Sequence, residues 1–196
     1  HSLEIQLELQ RRNIPFQVRG GLRFFEQAHM KDVLCYMRIL QNPHDELAWL
    51  RVLKMLPRVG SALSNKLWRH IGESDDPLKS ALAPETAKLL PAGARSFYTD
   101  LANLIGKLKE LNAPAEVIDQ TVEGFYGDYM VSHYDGADLR REDLRGLANF
   151  AAQYNNVEAF LADVSLAGEY SGETIVTGPT EQEFVILSTV HQAKGL

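Results

Sequence analysis

The sequence predicts a mainly α-helical domain set between short remnants of an α/β domain. Three observations carry that expectation. Apolar residues recur at threes and fours through most of the chain, the spacing of amphipathic helices. Pro and Gly break that middle into separate segments. Two short runs with strand character stand near opposite ends, at Ile14–Arg19 and Glu183–Val190. One strand at each end makes no sheet alone, so the ends are expected to belong to a neighbouring α/β domain into which the helical part is inserted.

The 196 residues are 45% hydrophobic, enough for a real core and too apolar for a disordered chain. A single cysteine, Cys35, cannot staple the fold, and no residues have metal-ligand spacing, so a reducing cytoplasmic setting is expected. Cys35 lies in an apolar helical stretch and reads as a buried structural thiol. No apolar run reaches the length of a membrane span. The chain opens on His1-Ser2-Leu3-Glu4, with neither a signal peptide nor an initiator Met, and is expected to be a piece of a longer protein. The formal net charge of −6 hides an asymmetry: residues 1–70 carry eleven Lys/Arg against six Asp/Glu, and residues 71–196 carry nine against twenty. A basic first third can meet phosphates while the acidic remainder keeps the molecule soluble, or both are simply solvated helix faces. Charge alone does not choose.

In order, residues 2–12 read as a helix, and Ile14–Arg19 alternates as a short strand. Gly20-Gly21 breaks the chain. Met30, Val33, Leu34, Met37 and Leu40 form one helical face. Asn42-Pro43 is expected to cap and start a helix over 43–55, which Pro57 closes before a short helix over 61–71. Asp75-Asp76-Pro77, Ala83-Pro84 and Leu90-Pro91 punctuate short helices. A longer helix spans 93–111, with Phe97, Leu101, Leu104, Ile105 and Leu108 inward. Further helices run from Pro114 toward Tyr126, over 138–153 and over 157–166. Residues 168–182 read as a loop, and Glu183–Val190 as a buried strand.

Two segments have chemistry in reach. Thr189, His191, Lys194 and Gly195 follow the last strand, where α/β folds place ligand sites; composition alone gives a plain strand-to-helix turn with a capping Thr and a solvated Lys. The second is Leu56-Pro57-Arg58-Val59-Gly60-Ser61-Ala62-Leu63-Ser64-Asn65-Lys66. A tight turn here feeds a new helix whose free N–H groups can hold a phosphate without reading sequence. Arg58, Lys66 and Arg69 add charge, and Ser61 and Ser64 add hydroxyls. Without further information this is an ordinary αα-hairpin. His44, His70 and His133 lack partners at ligand spacing, and Tyr126, Tyr129 and Tyr134 read as satellite core rather than as a base-stacking strip.

The run "ILSTVHQAKGL" at residues 186–196 resembles motif V of the superfamily 1 DNA helicases of the UvrD, PcrA and Rep group. Residues 2–53 resemble the segment that leads from motif IV into domain 2B of that group, and "LRREDLRGLANFAAQYNNVEAFLADVSL" resembles the last helices of that domain. The resemblance covers nearly the whole chain and is thinnest between residues 72 and 125. It implies a helical 2B domain over residues 23–180, inserted into a RecA-like domain 2A represented by residues 1–22 and 181–196. Thr189 and His191 would contact single-stranded DNA. Lys194 and Gly195 would shape the motif V turn, and Gly20 and Gly21 would act as a hinge, with residues 168–182 as the second connection. The motif IV arginine and the acidic residue after "KGL" fall outside the sequence. His29 replaces a usual glutamate, while Met30-Lys31-Asp32 keeps the pattern.

The Pro57–Lys66 turn resembles the helix-hairpin-helix turn with which domain 2B holds duplex DNA. Arg58, Val59, Gly60, Ser61, Ser64 and Lys66 would then form the duplex contact, with Arg58 standing where the pattern has its first glycine. The resemblance implies a parent that is an ATP-dependent 3′–5′ DNA helicase using ATP and magnesium. The sequence contains no GxxxxGK[ST] loop and no strand-borne Asp-Glu pair, so this chain is not expected to hydrolyse ATP alone. The expected partner is DNA at a single-strand/duplex junction, in the cytoplasm on the nucleoid. A regulatory or protein-docking module is the competing class, favoured by the acidic balance of residues 71–196.

Overall fold

In the computed structural model of the protein, the described residues between two short strands are mainly helical. The structure describes residues 24–169 throughout, together with Ile5, Glu8, Leu9, Arg12, Ile14, Phe16–Arg19 and Val185–Ser188. Strand β1, Phe16–Arg19, pairs in parallel with β2, Val185–Ser188, in the register Phe16 to Val185 through Arg19 to Ser188. Parallel neighbours need a long crossover, and here everything between residues 19 and 185 supplies it. At the described side chains of β2 the expected burial is not found: Val185 is 40% exposed and Leu187 is half-buried.

The chain divides into two compact units. One gathers the ends, residues 1–31 and 162–196; the other is residues 32–161. A 3-10 turn, Phe24–Glu26, precedes α1, Ala28–Gln41. Met30, Val33, Leu34 and Met37 are buried as their spacing predicts, and Tyr36 and Ile39 widen the buried face. Cys35 is buried too, and burial pushes its thiol up to about 11 despite nearby Arg51 and Arg38. The folded protein therefore keeps this thiol protonated near neutral pH. Since the folded value lies above the unfolded one, the contribution to stability is complete below the unfolded pKa and is lost as pH rises through the folded one. Alkylation at pH 8 should be slow in buffer and fast in denaturant, with mass spectrometry as the readout.

Helix α2 runs over Glu46–Leu53, later than the 43–55 expected. The reason is a better cap. Asp45 takes the N-cap position and accepts from Ala48 N–H at 3.0 Å, whereas Asn42 accepts from His44 N–H in a local turn. Trp49, fully buried, donates its indole N–H to the Pro43 carbonyl at 2.9 Å and fixes that turn. Asp45 also pairs with Arg38 at 2.7 Å. Asp45→Ala should lower stability by about 1–2 kcal/mol, read from urea melts.

Helices α3, Ser61–Gly72, α4, Pro77–Leu82, and α5, Pro84–Lys88, follow. Asp76 caps α4 with Pro77 in its first turn, as the Asp-Asp-Pro run predicts. Helix α6, Ala92–Leu108, buries Leu101, Leu104, Ile105 and Leu108, but Phe97 is 39% exposed and Tyr98 takes the inward position. Tyr98 is held there by its hydroxyl, which donates to the Ala81 carbonyl at 2.9 Å.

The helix expected from Pro114 to Tyr126 breaks. Helix α7 covers Pro114–Thr121 and gives way to a π-helical turn over Val122–Tyr126, with Gly124 outside helical geometry at φ −87°, ψ −139°. Two glycines permit the break: a side chain at Gly127 would run into the Val122 carbonyl oxygen, and one at Gly124 would crowd Leu104. Helix α8, Gly127–His133, and α9, Ala137–Ala151, come next, with α9 lying along α7. Helix α10, Val157–Glu169, extends into the segment read as a loop from 168. Phe150, Tyr154 and Phe160 close an aromatic cluster with centroids 5.2–6.0 Å apart.

Candidate nucleic-acid interface

The turn between α2 and α3 is built by hydrogen bonds that tighten the end of α2. Met55 and Leu56 N–H donate to the Val52 and Leu53 carbonyls, and Val59 N–H donates to Leu56. Met55, Leu56 and Val59 are buried and anchor the turn from below. Arg58 has φ 65°, left-handed, and is the one non-glycine with positive φ among the described residues. Arginine at this position therefore holds a backbone conformation that glycine adopts freely, at a cost of about 1–2 kcal/mol for a residue with a Cβ. Gly60 is extended at φ −87°, ψ −177°, and a side chain there would meet nothing within 4 Å. Its role is that of N-cap, and no side chain caps α3.

The first intrahelical bond of α3 runs from Ser64 N–H to the Gly60 carbonyl, 2.9 Å. The amides of Ser61, Ala62 and Leu63 precede it and have no intrahelical acceptor. Gly60, Ser61 and Ala62 are exposed, as are Arg58, Lys66 and Arg69. The result is a helix start with outward amides and three cations on the same short stretch, an arrangement that favours anions. Two of the expected residues face inward. The Val59 side chain is buried, and Ser64 is fully buried with its hydroxyl donating to the Ser61 carbonyl at 3.1 Å. The outward chemistry therefore belongs to Arg58, Gly60, Ser61 and Lys66. The remaining candidates, Thr189, His191, Lys194 and Gly195 at the motif V turn and Gly20 and Gly21 at the hinge, lie outside the described residues.

The model of the UvrD-like helicase C-terminal domain matches residues 1–87, which include the whole of this turn. Curated relatives align over most of the chain. DNA helicase II of Haemophilus influenzae is 30% identical across 100% of this chain, and a probable DNA helicase II homolog of Rickettsia conorii is 29% identical across 93%. The chain is similar to the UvrD-like helicases. The PcrA helicase of Staphylococcus epidermidis, 26% identical over 94% of the chain, extends the likeness to a third relative of this UvrD-like protein. The chain spans 28%, 28% and 26% of the length of these three relatives. No helix among the described residues is long and apolar enough to cross a membrane, and no group of three or more metal-ligating side chains occurs among them.

A buried polar centre in this UvrD-like chain has no counterpart in the sequence reading. Asp32, 3% exposed, accepts from Arg51 Nε at 2.6 Å through Oδ1. Through Oδ2 it accepts from the Tyr126 and Tyr134 hydroxyls at 2.9 and 2.8 Å. Burial, then the Asp32 charge, pushes the Tyr126 phenol far above its ordinary value; burial and the Asp32 hydrogen bond push Tyr134 the same way. Both tyrosines therefore remain donors at any working pH. Arg140 lies over the Tyr134 ring at 4.5 Å. Tyr126 is core, as expected, whereas Tyr129 and Tyr134 are half-buried; one carboxylate organises Tyr126 and Tyr134. This centre ties α1 and α2 to the π-helical turn and the end of α8. Its carboxylate is buried while Arg51 and Tyr134 reach partly to solvent, and it supports the fold around the π-helical turn.

Proposed function

We propose that this chain is the helical accessory domain, with flanking motor-domain segments, of an ATP-dependent 3′–5′ DNA helicase, and that it grips duplex DNA beside the junction through backbone phosphates. The observation that carries the reading is the Pro57–Lys66 turn, where Arg58 holds a glycine's left-handed conformation directly before the uncapped amides of α3. A strained arginine at the mouth of an anion-favouring helix start is explained by contact with phosphate. The similarity to DNA helicase II and to the PcrA helicase supports the helicase assignment. ATP and magnesium would be held by parts of the parent outside this sequence. Residues 23–180 would be the inserted domain, residues 1–22 and 181–196 the motor segments, Gly20 and Gly21 the hinge, and Thr189 and His191 the contact to the single strand, with Lys194 and Gly195 shaping the turn between DNA and nucleotide. The parent would act in the cytoplasm, on the nucleoid.

Phosphate contacts position without specifying. Duplexes of unrelated sequence with 3′ single-stranded tails should therefore bind the chain equally, with affinity falling steeply as salt rises. Fluorescence anisotropy over a salt series checks this; binding that ignores salt or follows one base sequence sinks the reading. The acidic residues 71–196, eleven charges in excess, favour a second role for that part of the surface as a docking face that restrains the motor. Absence of duplex binding at low salt would leave that role as the better account.

A further inference from the structure

We infer that Gly93 is the positioning residue for Arg58, so that the phosphate grip spans the α2–α3 turn and the start of α6; this rests on the duplex-binding reading of the turn. A left-handed backbone at residue 58 is what glycine adopts freely, and arginine keeps it only at a cost. A Cβ built on Gly93 would stand 2.7 Å from Arg58 Nη1, 3.5 Å from Cζ and 3.9 Å from Cδ, so the guanidinium occupies the space a side chain at 93 would fill. Gly93 is the second residue of α6, where glycine weakens a helix relative to alanine. Both residues are exposed. The missing side chain at 93 thus lets Arg58 lay its planar, bidentate donor across the start of α6 rather than swing free in water. A guanidinium resting against α6 has fewer positions open to it than one in open water, and so loses less freedom on meeting a phosphate. The chemical class of ligand is a backbone phosphate of duplex DNA, one contact more than the amides of the turn provide.

The test uses the whole 196-residue chain, a tailed duplex and a salt series on Gly93→Ala, Arg58→Gly, the double variant and Lys66→Glu. In Gly93→Ala the clash is with the far end of a flexible side chain, which can move, so the melting temperature should hold while affinity falls several-fold and the log–log salt slope drops by about one. Arg58→Gly should lose the same affinity and slope yet melt higher, because the strain is removed. The double variant should bind as Arg58→Gly does. Unchanged affinity and slope in Gly93→Ala, or an equal loss from Gly93→Ala with and without Arg58, overturns the assignment. If Lys66→Glu weakens binding while Gly93→Ala does not, only the Gly93 assignment falls. If neither variant changes binding, the duplex reading of the turn falls with it.

Discussion

Asp32→Ala should lower the stability of the chain by about 3 kcal/mol or more, with a melting temperature down by about 10 °C. The loss has identifiable parts. Asp32 is buried and is the acceptor for the Tyr126 and Tyr134 hydroxyls and for Arg51 Nε. Removing it leaves two inward phenols without their acceptor, each costing about 1–3 kcal/mol. Arg51 loses less, since its side chain is 37% exposed and can turn to water. Asp32→Asn keeps one acceptor oxygen and most of the volume, so its loss should be smaller. Urea melts of both variants read the difference. Equal stabilities for Asp32→Ala and the parent chain would mean that the carboxylate does not organise this part of the core.

Reversing charge at the turn should produce the largest functional effect. Arg58→Glu and Lys66→Glu should each weaken duplex binding about tenfold or more at low salt, through a lost phosphate contact and an added repulsion. The difference from the parent chain should shrink as salt rises, because both terms are screened. Both residues are exposed, so melting temperatures should stay close to that of the parent chain, and for Arg58→Glu the left-handed backbone persists in a residue that also has a Cβ. A loss of affinity that survives at high salt would point instead to a disturbed fold.

Local signals were readable where one or two neighbouring residues decide the outcome. Asp76-Pro77 announced α4, and the Met30, Val33, Leu34, Met37 stripe announced α1. Nearby competitors misled: Asn42-Pro43 looks like a helix start, but Asp45 caps better, and Phe97 yields its inward place to Tyr98, whose hydroxyl finds a buried acceptor. The π-helical turn was hidden because its cause is crowding around Gly124 and Gly127. The turn at 57–66 was legible as a segment from its Pro, Gly and cations. Its conformation was not, since no residue pattern states that an arginine will take a positive φ. Asp32 meets tyrosines 94 and 102 residues away, and Gly93 meets Arg58 across three helices of sequence. Such pairings are created by folding and leave no mark in spacing.

Duplex phosphate is expected to sit on the free amides at the start of α3. The most direct measurement is an amide-resolved NMR titration of the chain with a 3′-tailed duplex at low salt. Shifts are expected to concentrate at Arg58, Gly60, Ser61, Ala62 and Leu63, to extend to Gly93, and to be reversed by added salt. Shifts confined to helices α7 to α9, with the turn unmoved, would overturn that placement.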